Sequence, residues 1–123
     1  MKLLLLLNTV AVLGLGVIMV FVPAIFWPDI AAAGDARDLA YGLARNFGFA
    51  SLSIAALSGL MAMRPITPEV RFVGMGTLAA FHLGLTIAHL FNVFDGLTSL
   101  VVVAIHGAFA LIFLVMFLWQ VKR

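Results

Sequence analysis

The chain has no cysteine. That excludes disulfides, thiolate metal sites and cysteine nucleophiles, and it leaves the redox compartment undetermined. Charge is scarce as well. Only 10% of the 123 residues are charged, against 65% hydrophobic, whereas a soluble domain is about a quarter charged and about half apolar. A water-soluble fold has nowhere to hide this much apolar surface, so lipid is the expected solvent. The net charge is +2, and no basic run points to nucleic acid. There is no phosphate loop, nucleophile elbow, HExxH zinc site or dinucleotide fingerprint. Repeats, low-complexity tracts and an extramembrane domain are also lacking.

What is present is four long apolar stretches. Each meets the roughly 20 residues that a helix needs to cross a bilayer. They predict spans at about 3–27, 39–63, 68–94 and 98–120. Lys2 ahead of the first stretch imitates a signal peptide, but the apolar run of about 25 residues exceeds the usual 7–15. Asn8 is the only strongly polar residue inside that stretch. Pro23 and Pro28 mark its end, with Trp27 at the interface, where aromatic rings sit well. Gly14 and Gly16 are read as marks of close packing. In the second stretch Ala44, Gly48, Ser51, Ala55, Ser58 and Ala62 alternate spacings of four and three, so they share one helix face. Small residues on one face let a neighbouring helix approach closely.

The connections carry turn and cap signals. Thr67 is an N-cap residue and Pro68 suits the first helical position, with Glu69 in the first turn favoured by the helix dipole. Asp95-Gly96 is a turn, and Thr98 or Ser99 can cap the fourth helix. Short loops favour an all-α, up-down-up-down antiparallel four-helix bundle. One side of it holds Lys2, Arg64, Arg71, Lys122 and Arg123. The other holds only Arg37 and Arg45, against Asp29, Asp35, Asp38 and Asp95. Under the positive-inside rule both termini face the cytoplasm. The expected location is a bacterial inner membrane.

Ionisable residues inside a membrane are costly and tend to be functional. The three histidines, His82, His89 and His106, all lie inside spans. Residues seven apart differ by about 20° round a helix, so His82 and His89 share a face, about 10 Å apart along the axis. Thr86 lies near that face. Val73, Ile87, Phe91 and Phe94 lie opposite and suit lipid. Ala80 and Gly84 fall there too, where small size also suits a helix contact. Counted from the Asp95-Gly96 turn, His89 lies about 9 Å deep and His106 about 12 Å, with His82 deeper still. His89 and His106 are therefore expected to face each other.

Two readings of these histidines compete. In the plain one, each imidazole donates to a backbone carbonyl or to a threonine across the helix interface. In the functional one, two facing imidazoles ligate the iron of haem b, or one ligates the magnesium of a chlorophyll-type pigment. Gly107 and Ala110 would leave room for a flat ring. A zinc or copper site is disfavoured because His82 and His89 are too far apart along the helix to converge. Arg45, with Asn46 and Asn92, is the candidate contact for a lipid headgroup, a quinone or another small molecule. Its plainer role is a snorkelling arginine paired with Asp38 or Asp95. The second and third helices have no internal proline, which argues against a transporter, and scattered methionines read as packing.

The run Ala36-Arg37-Asp38-Leu39-Ala40-Tyr41-Gly42, followed by Arg45-Asn46-Phe47-Gly48, together with chain length and four spans, resembles the small bacterial four-helix membrane proteins grouped as DoxX-like. Some members of that grouping look like subunits of quinone-linked oxidoreductases, so the resemblance implies a redox accessory role, and it transfers no motif residue by residue. The sequence therefore leads to two expectations. The first is a non-catalytic accessory or structural subunit, embedded in the lipid bilayer beside other membrane subunits of a respiratory or photosynthetic assembly. The second is a haem- or pigment-binding redox protein, with His82, His89 and His106 as ligands.

Overall fold

The computed structural model describes residues 1–25, 35–94 and 100–121. Those residues form four α-helices and a short 3-10 turn, and there is no strand among them. Helix α1 is Lys2–Phe21, followed by the turn Pro23–Ile25; α2 is Asp35–Met63, α3 is Pro68–Phe94 and α4 is Leu100–Val121. All four are long and apolar enough to cross a membrane.

The helix limits differ from the expected spans for local reasons. α1 ends six residues before Trp27 because Pro23 intervenes: the residue before a proline is pushed out of the α region, and Val22 has φ −137° and ψ 54°. α2 begins at Asp35, ahead of the apolar pattern that starts at Leu39. Helical hydrogen bonding does not require apolar side chains, and Asp38 puts negative charge in the first turn, where the dipole favours it. α3 has the expected limits. The Val70 amide donates to Thr67 Oγ1 at 3.4 Å, the cap that the Thr67-Pro68 pair implies. Trp27, Pro28, the Asp95-Gly96 turn, the Thr98 and Ser99 caps, Lys122 and Arg123 lie outside the described residues.

The chain divides into two compact units, Met1–Arg64 and Pro65–Arg123. Each is an antiparallel helical hairpin. In the first, α1 and α2 cross where two glycines meet. A Cβ on Gly16 would lie 2.9 Å from the Gly48 carbonyl oxygen, and one on Gly48 would lie 2.9 Å from that of Gly16. Gly14, by contrast, has nothing within 4 Å of its Cβ position. Seven residues before Gly16 on α1 and ten after Gly48 on α2, Thr9 Oγ1 and Ser58 Oγ lie 2.9 Å apart. Thr9 also reaches the Leu5 carbonyl at 2.7 Å, and Ser58 reaches that of Ala55 at 3.2 Å. Two hydroxyl protons thus serve three contacts, so the hairpin holds them in alternation. All six members of the small-residue stripe on α2, Ala44 to Ala62, are buried.

In the second hairpin, Phe117 of α4 packs on Phe72 of α3, with centroids 4.7 Å apart. It also lies over Gly76, where a Cβ would meet its ring at 3.0 Å. Val73, Ile87, Phe91 and Phe94 are exposed, as their shared helix face implies. Gly84 is open, with nothing near its Cβ position. Ala80 instead lines a cleft between α3 and α4.

Candidate functional site

The three histidines of the second hairpin converge. His82 and His106 approach Nδ1 to Nδ1 at 3.1 Å, one imidazole donating and the other accepting. His89 also stacks on His106, with centroids 5.3 Å apart and planes 11° from parallel. His106 is therefore the middle ring of three, whereas depth counting from the turn pairs it with His89 alone. Its depth, about 12 Å, falls between about 9 Å for His89 and about 20 Å for His82, and both partners are within reach of its side chain. Burial rises along the column: His89 is half-buried, His106 is 8% exposed and His82 is 1% exposed.

The surroundings are aromatic and apolar. Phe109 and Phe113 stack on His82 at 5.0 and 5.8 Å, and Phe113 is fully buried. Thr86 Oγ1 donates to the His82 carbonyl at 2.8 Å, which holds the threonine against its own helix. His89 Nδ1 is buried and has no hydrogen-bond partner among the described residues.

This geometry bears on ligation. Imidazole–metal bonds of about 2.0–2.1 Å place two trans nitrogens about 4 Å apart, on a line lying in both ring planes. The His82–His106 nitrogens are closer than that and joined by a hydrogen bond. His89 and His106 present ring faces to one another, while imidazole lone pairs lie in the ring plane. The Nδ1 atoms of His82 and His106 are thus committed to each other, not to a shared ion between them. Among the described residues no three His, Asp or Glu side chains are placed to hold a metal ion.

Beside the column lies a cleft of about 450 Å³ between α3 and α4, lined by Gly76, Ala79, Ala80, Leu83, Thr86, Gly107, Ala110, Leu111, Leu114 and Phe117. The space expected beside Gly107 and Ala110 is thus there, and among the described residues Thr86 is its only polar wall residue. Its floor runs ten residues along each helix, about 15 Å. Phe117 and Gly76, which close one end, could be found in the sequence only by knowing the register of α3 on α4.

Arg45 and Asn46 are exposed on the first hairpin, and Asn92 is half-buried on the second. Asp38 pairs with its neighbour Arg37, Nε to Oδ1 at 3.1 Å, not with Arg45. Asp95, the other expected partner, lies outside the described residues. No family model, curated protein or solved structure matches the chain, so the chemistry of the site rests on its own geometry.

Proposed function

We propose that this protein crosses a bacterial inner membrane four times and serves as a non-catalytic accessory subunit of a larger electron-transfer complex. In this reading the four helices cross the bilayer alternately up and down, with both termini cytoplasmic, as the excess of Lys and Arg on that side requires. The DoxX-like resemblance supports the same redox accessory role.

The observation that carries the reading is the contrast between two surfaces of the second hairpin. Its polar side chains inside the span bond largely within the hairpin: His82 with His106, Thr86 with the His82 carbonyl, and Thr77 with the Val73 carbonyl at 2.9 Å. Its cleft, meanwhile, offers glycine and alanine along about 15 Å. In hydrocarbon there is no hydrophobic drive between helices, and close packing on small residues is what joins them. A transmembrane helix of a partner subunit is the occupant that fits.

Gentle crosslinking in native membranes is expected to yield a species larger than the monomer. Ala80→Trp, at an exposed wall of the cleft, is expected to cut that yield roughly fivefold, the effect of about 1 kcal/mol of lost helix packing. A protein that stays a lone monomer under crosslinking would end this reading.

The alternative, a macrocycle held by one imidazole, is supported by His89, whose Nδ1 lacks a partner among the described residues. Oxidised and reduced absorption spectra of gently extracted protein separate the two. The accessory reading expects no Soret or far-red band. A band that disappears in His89→Ala would replace it with the ligand-binding one.

A further inference from the structure

We propose that His89, His106 and His82 form a proton relay between one end of the α3–α4 hairpin and its middle. The proposal rests on the membrane-spanning reading of these helices and needs no particular partner.

The column has the layout of a relay. His89 lies five residues from the end of α3, about 7.5 Å, and His82 lies twelve, about 18 Å. In a hydrocarbon layer of about 30 Å, that carries the column from near one face to the centre. The rings touch in sequence, His89 on His106 by stacking and His106 on His82 by the 3.1 Å Nδ1 contact. Exposure falls along the same order. Apart from these three, the titratable groups on α3 are Glu69 and Arg71, both within its first four residues, and α4 has none. Within the hairpin the path therefore opens toward one face through His89.

Packing alone does not call for imidazole here. Phe109 and Phe113 stack on the same His82 ring, so phenylalanine suits the environment and carries no desolvation cost. What imidazole adds is two ring nitrogens, one donating and one accepting, so that a proton taken up at one can be given off at the other.

The transfer balances as follows. In the neutral pair, one ring donates its Nδ1 proton to the bare Nδ1 of the other, whose own proton sits on Nε2. A proton arriving at Nε2 of the donor makes it an imidazolium. Its Nδ1 proton then crosses to the partner, which becomes the imidazolium and passes its Nε2 proton to a water. One proton enters, one leaves, and the two tautomers are exchanged. Return of the tautomers, by ring rotation or reverse transfer, resets the pair. Entry from His89 requires rotation of its ring or a bridging water, and its unpartnered Nδ1 is the atom available for it.

The test uses the full chain with ¹⁵N-labelled histidine in nanodiscs of phosphatidylcholine and phosphatidylglycerol, moved into D₂O and followed by NMR. His89→Phe keeps an aromatic ring on the stack at a half-buried position and removes the entry nitrogens. It is expected to slow exchange of the His82 N–H by on the order of tenfold, with backbone amide protection of α3, the measure of helix opening, unchanged. His106→Phe should do the same. Unchanged His82 exchange in His89→Phe would overturn the proposal, and so would wild-type His82 exchange no faster than the α3 amides around it. Release of the chain from membranes by alkaline carbonate would refute the spanning reading itself, a result separate from these rates.

Discussion

Gly48→Leu is expected to force α1 away from α2 and to cost about 3 kcal/mol or more, the upper part of the range for overpacking. A Cβ at this position would stand 2.7 Å from Val20 Cγ2, 2.9 Å from the Gly16 carbonyl oxygen and 3.0 Å from the Val20 amide nitrogen. Two of those atoms are backbone, so no rotamer change relieves them. The helices must therefore separate, and the contacts of the crossing are lost with them. Unfolding in mixed micelles, followed by far-ultraviolet circular dichroism, reads the loss. Gly14→Ala is the control: its Cβ position is open, and alanine gains up to about 1 kcal/mol of helix propensity. Equal stability of Gly48→Leu and wild type would show that the two glycines do not form the crossing.

His106→Ala is the second large effect. It removes the ring between His82 and His89 and takes the Nδ1 partner from a histidine that is 1% exposed. Losing a hydrogen-bond partner at a buried polar atom costs about 1–3 kcal/mol, and the vacated ring volume adds a cavity cost. His106→Phe restores the volume without the bond, so it should recover part of the loss. A double-mutant cycle with His82→Phe should give a coupling of about 0.5–3 kcal/mol, as expected for residues in one hydrogen-bonded network. Zero coupling would mean that the two imidazoles do not bond in the folded protein.

The stripe from Ala44 to Ala62 shows how far a single helix can be read without its neighbours. Helical spacing alone puts these residues on one face, and all six are buried. The Thr67-Pro68 start of α3 was equally legible, because a cap is chemistry between residues three apart. The outward face of Val73, Ile87, Phe91 and Phe94 follows from the same periodicity. Where proline and charge met apolar pattern, reading by pattern alone misplaced the limits: α1 stops ahead of Pro23, and α2 begins in the charged run at Asp35.

The site was legible in composition but not in pairing. Three histidines in apolar helices announce themselves. Which of them meet depends on how far α3 slides along α4, and one residue of slip moves a side chain by 1.5 Å and about 100°. That register makes His106 the middle ring and joins it to His82. The register of α1 on α2 likewise decides that Gly16 and not Gly14 carries the crossing, and that Thr9 finds Ser58 forty-nine residues away. The sequence by itself determined four apolar helices, their buried faces and the presence of imidazole inside them, because these follow from periodicity and solvent preference within one segment. The tertiary structure decided the contacts across each hairpin, because antiparallel register is set by packing between segments that no local pattern encodes.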